Sequence, residues 1–165
     1  MNALTRCCWL VLMVCQLAFF STAATAAPRD GELAGLAAAV DAQWNARDAA
    51  ALSAFYAADA TLSLGRDGPR LAGRAQIQAY FEQSLARVAK DLSHRTVLRR
   101  VEPLDGQTYL TDNAIYVERP GANGATEVVG EFFTLTIVRP AASGWEIVAV
   151  RAVPLSRTPA RAAAG

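Results

Sequence analysis

Cysteine, histidine and net charge are what this chain has least of, and each shortage removes a class of function. Its three cysteines, Cys7, Cys8 and Cys15, all fall in the first fifteen residues. Beyond them no thiol remains for a disulfide, a thiolate nucleophile or an iron–sulfur cluster, so stability has to come from an apolar core. His94 is the single histidine, which excludes a multi-histidine metal site and leaves one imidazole as a titrating group near neutrality. Sixteen basic residues face fifteen acidic ones, and Arg6 near the start accounts for the difference. The rest of the chain is formally neutral and has no broad field for nucleic acid or an anionic membrane. Arg95, Arg99 and Arg100 form a local basic cluster, but their interleaving with apolar residues reads as a solvated strand face. A nucleophile elbow, a phosphate loop, a dinucleotide fingerprint and Cys/His metal spacing are all missing. No metal and no cofactor are expected.

The one long apolar run, Trp9 to Phe20, is too short to cross a bilayer, which takes roughly 20 residues. Preceded by Arg6 and followed by the small-x-small triplet Ala24-Thr25-Ala26, it reads as a signal peptide over residues 1–26. The expected location is therefore periplasmic or secreted, with no stable membrane association after cleavage. Residues 27–153 are long enough for one domain with its own core. The Ala-, Pro- and Arg-rich stretch 154–165 is expected to be a disordered tail.

Within the domain the periodicity changes once. Leu33, Leu36, Val40 and Trp44 recur at helical spacing, predicting a helix over about 31–46. Asp48 fits as the cap of a second, short helix carrying Leu52, Phe55 and Tyr56. A strand from Ala60 to Leu64 and a Gly65-to-Pro69 turn follow, then a third helix from near Gly73 with Ile77, Tyr80, Phe81, Leu85 and Val88 on one face. From Leu92 onward the pattern becomes long strands, about 93–103, 107–119, 126–139 and 144–153, with connections short enough to demand an antiparallel meander. Helices first and strands after make an α+β domain with the helices packed on one face of a strongly curved sheet. In the third long strand Phe132 and Phe133 must point to opposite faces, while Leu135 and Ile137 share one face and Thr134 and Thr136 the other. A sheet apolar on both sides wants a second cover, so a homodimer through the outer sheet face is expected.

The combination of Trp44-Asn45 before Asp48, Phe55-Tyr56 before Asp59-Ala60, Gly73-Arg74 opening a helix with Tyr80-Phe81, and Gly144-Trp145-Glu146-Ile147 in the last strand resembles the nuclear-transport-factor-2-like (NTF2-like) superfamily, in its SnoaL-like or DUF4440-like branch. The resemblance covers about residues 31–153. It implies a cone with a pocket between the helices and the concave sheet, commonly dimeric, and it does not fix an activity, because relatives include isomerases, cyclases, dehydratases, epoxide hydrolases and noncatalytic binding modules. Ketosteroid isomerases place an Asp base shortly after an Asp-Ala-Thr stretch. After Asp59-Ala60-Thr61 the matching position here is Leu64, which cannot abstract a proton, so that chemistry does not transfer.

The candidates for chemistry are few. His94 opens the first long strand, and Asp112 and Glu131 lie on neighbouring strands, with the register deciding which shares its face. Arg151 sits in an apolar strand, on the face of Trp145, Ile147 and Ala149 if alternation is strict, and needs an acid such as Glu131, a ligand or solvent. Trp44, Tyr56, Tyr80 and Phe81 would line the pocket with aromatic walls suited to a small apolar or aromatic molecule. Asn113 would present an amide there, unless Thr111-Asp112-Asn113 is a bulge. Two readings follow: an exported pocket protein with cofactor-independent acid/base chemistry, of isomerase, cyclase or hydratase type, on pairs such as His94 with Asp112 or Arg151 with Glu131; or a noncatalytic binding or dimerisation module with a self-filled cavity.

Overall fold

The computed structural model describes residues 29–155, and the expected signal peptide and most of the expected tail lie outside that range. Helix α1 (Asp30–Ala46) stops at Arg47, which adopts a left-handed conformation (φ 60°) and donates its N–H to the Gln43 and Trp44 carbonyls. A non-glycine residue is held there by its own side chain. The Arg47 guanidinium donates to the Trp44, Ala89 and Leu92 carbonyls and lies 4.4 Å from the centre of the Trp44 ring. Helix α2 (Ala49–Ala54) is capped by Asp48, whose carboxylate accepts the Ala51 N–H at 2.8 Å.

Strand β1 (Tyr56–Leu64) begins earlier than periodicity suggests. Phe55 and Tyr56 have helical spacing from Leu52, but the chain leaves the helix after Ala54, and Tyr56 already pairs with Ile147. The turn returns through a short strand, β2 (Arg70–Ala72), that the Gly/Pro composition hides. Gly73, at φ 82°, then opens helix α3 (Arg74–Leu85), and the Arg74 Nε donates to the Tyr56 carbonyl at 2.6 Å. Four long strands complete the domain: β3 (Ser93–Pro103), β4 (Tyr109–Pro120), β5 (Thr126–Ala141) and β6 (Gly144–Pro154). The last runs one residue past the expected boundary of the tail, and Leu155 still donates its N–H to the Glu131 carbonyl.

All six strands form one curved sheet in the order β2-β1-β6-β5-β4-β3, an antiparallel meander from β3 to β6 with β1 parallel to β6. The α+β class and the helix-on-curved-sheet arrangement are as expected. α1 lies along β3, while α3 packs on β1 and α2. Leu33 from α1, Ile77 from α3 and Ala57, Ala60, Leu62, Val138 and Ile147 from the sheet belong to one buried core. Leu52 and Leu85 join α2 to α3. Among the described residues no helix is long and apolar enough to cross a membrane.

Of the irregularities in the strand pairing, two bear on the candidate side chains. Arg99 is an extra residue in β3, between the pairs Leu98–Asn113 and Arg100–Asp112. Val148 is an extra residue in β6, between the pairs Ile147–Val138 and Ala149–Ile137. Past such a bulge alternation is shifted by one position, so side chains reverse faces relative to a strict count.

Candidate functional site

Between the three helices and the concave face lies a cavity of about 380 Å³. Its walls are mostly apolar. α1 supplies Leu36, Ala37, Val40 and Trp44, α3 supplies Tyr80, Phe81 and Leu85, and the sheet supplies Leu62, Leu64, Leu98, Ile115, Phe132 and Val150. Tyr56 and Asn113 line it as well. Leu64, where steroid isomerases would place a base, adds only apolar surface.

One imidazole, backed by an acid, interrupts this lining. His94 at the start of β3 points into the cavity, and its Nδ1 lies 2.6 Å from Oδ1 of Asp41 on α1. With side chains only 12% and 13% exposed, the two are held in an environment where water screens them little. Asp41 accepts two further hydrogen bonds, from the Thr96 N–H to Oδ2 at 2.6 Å and from the Thr96 hydroxyl to Oδ1 at 2.7 Å. Trp44 stacks on the imidazole with ring centres 5.0 Å apart. An ionised Asp41 requires the proton on Nδ1, so a neutral His94 offers the lone pair of Nε2.

A second polar group sits deeper. Asn113 donates from Nδ2 to the Thr111 hydroxyl at 3.0 Å and to the Thr136 hydroxyl at 3.4 Å, and Thr134 is paired with it across the β4–β5 ladder. Asn113, Thr111 and Thr134 are all buried. Among the described residues no sealed side-chain polar atom lacks a partner, and the Asn113 Oδ1 and Thr134 hydroxyl bond to no other side chain, so both open onto the cavity. His94 pairs with Val117 and Leu98 with Asn113. Those four positions along β4 separate the two polar groups by roughly 13 Å. Burial pushes the Tyr56 phenol well above its ordinary range, so it stays neutral.

The remaining candidates lie elsewhere. Asp112 is one residue from Asn113 in a regular stretch of β4 and therefore faces the convex side, so it cannot pair with His94. Thr111-Asp112-Asn113 is not a bulge, so Asn113 presents its amide to the cavity, and the extra residue of this pair of strands is Arg99 on β3. Glu131 alternates with the inward-facing Phe132 and also faces outward. Arg151 would share the face of Ile147 under strict alternation, but the Val148 bulge turns it outward, where its Nη1 donates to the Thr61 hydroxyl at 3.3 Å and not to Glu131. The cluster at Arg95, Arg99 and Arg100 is a solvated strand face: Arg95 pairs with Glu118, Arg100 with Glu102, and Arg99 bonds the Tyr116 hydroxyl. Asp41 is the residue that sequence reasoning missed. Its signal was available, because Asp41, Trp44 and Asn45 stand at i, i+3 and i+4 on one helical face, and all three touch His94. Among the described residues no three His, Cys, Asp or Glu side chains gather as metal ligands.

A helix-lined cone over a curved antiparallel sheet is the NTF2-like architecture, and solved structures agree. A domain of unknown function with a cystatin-like fold from Nostoc punctiforme superposes with a TM-score of 0.66 at 20% identity, covering 80% of this chain and 81% of that one. An NTF2-like protein with a cystatin-like fold from Novosphingobium aromaticivorans gives 0.62 at 21%, covering 78% and 83%. A ketosteroid isomerase-like protein from Erwinia carotovora atroseptica gives 0.58 at 17%, covering 78% and 98%. At these identities the likeness is one of fold. Residues 29–151 match the SnoaL-like domain, and the chain belongs to that family. No curated protein matches the chain by sequence.

Proposed function

We propose that the protein takes a small, flat, mostly apolar molecule into its cavity and acts on it by cofactor-independent acid/base chemistry. His94, backed by Asp41 and set in a mostly apolar wall, is the observation that carries this reading. Nε2 of His94 accepts a proton from the bound molecule, Asp41 stabilises the resulting imidazolium, and the proton returns at another atom. The uncharged group around Asn113 and Thr134 orients the far end by hydrogen bonds. With these neutral donors and acceptors there, the ligand fits best as a neutral molecule carrying a hydroxyl or carbonyl.

Export and a homodimer belong to the same reading. The charged, apolar and small-residue segments of the first 26 residues support export. Leu135 and Val153 on the convex face, 39% and 49% exposed, support a second copy as its cover.

The test uses 2-tetralone, a flat enolisable ketone. The protein is expected to quench its tryptophan fluorescence on binding and to accelerate deuterium exchange at the α-carbon, followed by NMR. His94→Gln and Asp41→Asn should bind the ketone and lose the exchange. Binding with no accelerated exchange would reduce the protein to a binding module. Absence of binding by 2-tetralone and by a panel of bicyclic phenols and ketones would remove the reading altogether.

A further inference from the structure

The convex face carries a second hollow, of about 390 Å³, at the β2 edge of the sheet. Arg66, Arg70 and Arg151 line it together with Thr61 and Ser63, and no carboxylate does. Register explains the gathering. Ser63 is paired with Arg70 on one neighbouring strand and with Arg151 on the other. Neighbouring strands lie about 4.8 Å apart, so the two arginines flank a hydroxyl with their backbones about 10 Å from each other, a span that two long side chains close around one group. The bulge at Val148 sets this up by turning Arg151 to the outside.

Arg151 is also aimed. Its Nη1 donates to the Thr61 hydroxyl at 3.3 Å and to the Val150 carbonyl at 2.9 Å, which pins one arm of the guanidinium and leaves the other donors for a ligand. Arg66 enters from the β1–β2 turn, fixed against β6 by the Gly65 N–H bonded to the Ala152 carbonyl at 2.6 Å. Elsewhere on the sheet arginines meet acids: Arg95 meets Glu118, Arg119 meets Glu127 and Arg139 meets Glu146. Among the described residues Arg66, Arg70 and Arg151 form no such pair, although the chain as a whole is balanced in charge.

We propose that this hollow is a binding site for a phosphoryl group. Three guanidinium groups and two hydroxyls present donors from several directions, which suits the three oxygens and double charge of a phosphate monoester better than the two coplanar oxygens of a carboxylate. The site lies on the opposite side of the sheet from His94 and does not depend on the chemistry proposed there.

Calorimetric titration with inorganic phosphate and with phenyl phosphate, at ionic strength held constant with sodium chloride, tests the site on the purified protein. Saturable binding and a rise in melting temperature with either phosphate, absent with chloride, are expected. Arg66→Gln, Arg70→Gln and Arg151→Gln should each weaken binding by about tenfold, the loss of one charge-assisted contact, while His94→Gln leaves it unchanged. Arg66 and Arg70 are exposed on a turn and an edge strand, so their variants test the site even if Arg151→Gln fails to fold. An equal response to chloride, or unchanged phosphate binding in Arg66→Gln and Arg70→Gln, overturns the proposal. Sedimentation with phosphatidylcholine vesicles containing phosphatidic acid, displaced by free phosphate and lost in Arg70→Gln, assigns the phosphoryl group to a lipid headgroup. Binding of phenyl phosphate without vesicle sedimentation assigns it to a soluble compound.

Discussion

Asn45 grips the backbone of His94 from both sides: its Oδ1 accepts the His94 N–H at 2.7 Å, and its Nδ2 donates to the His94 carbonyl at 3.0 Å. The primary amide mimics a paired strand, one turn beyond Asp41 on the same helix. A helix thus completes the hydrogen bonding of the first residues of a sheet edge and fixes where the imidazole starts.

Asn45→Ala is therefore expected to lower stability by about 1–2 kcal/mol through the loss of both bonds, read from urea unfolding. The informative control is Asn45→Asp, which keeps the acceptor and loses the donor. Its cost should fall between wild type and alanine, and a wild-type His94 ring resonance in the Asn45→Ala protein would show that the clasp does not position the side chain.

Asp41→Ala removes a carboxylate that accepts from His94 and twice from Thr96. Because the donors left behind are partly buried, the expected loss is about 2–4 kcal/mol. Asp41→Asn retains an acceptor for the Thr96 N–H and should cost less. If Asp41→Ala unfolds at the wild-type urea concentration, the carboxylate's hydrogen bonds contribute nothing to the fold.

The Tyr56 phenol gives a pH dependence with a definite sign. Burial raises its pKa in the folded state far above the ordinary value of about 10 that the unfolded chain retains. Above that pH the unfolded state releases a proton that the folded state keeps, so stability is whole below pH ~10 and falls as pH rises beyond it. Absorbance at 295 nm should show the Tyr56 phenol ionising only with unfolding. Tyr56→Phe should shift alkaline unfolding to higher pH, and an unchanged midpoint would place the resistant phenol elsewhere.

The convex face gives a prediction about assembly. Phe133 stands on the rung of Ala114 and Val153, and the exposed Leu135, two residues further along β5, is flanked by Asp112 and Arg151, so the meander presents an apolar strip edged by opposite charges. Light scattering is expected to show a dimer at micromolar concentration, and Leu135→Glu should convert it to a monomer with an unchanged circular dichroism spectrum. A wild-type monomer would refute the dimer.

The fold was legible because its signals are local. Helical spacing from Leu33 to Trp44, the Asp48 cap and the period-two strands beyond Leu92 each follow from neighbours a few residues apart. The site was less so, for two physical reasons. Asp41 meets His94 across 53 positions of chain, so its spacing from Trp44 and Asn45 marks a shared helical face but not what that face meets. Arg151 was assigned to the wrong face because alternation counts residues and cannot see the extra one at Val148. His94 itself was open to reading, being the single imidazole.

That extra residue sets the sign of the chamber. Deleting Val148 would join Ile147 directly to Ala149 in the existing pairing, so Val150 and Ala152 would keep their inward places and Arg151 would stay outside. Straightening the bulge with Val148 retained would do the opposite, sending Ala149, Arg151 and Val153 inward. A neutral chamber would then acquire a fixed cation and the outer hollow would give one up, so one backbone irregularity, and not the choice of side chains, keeps the inner guest neutral.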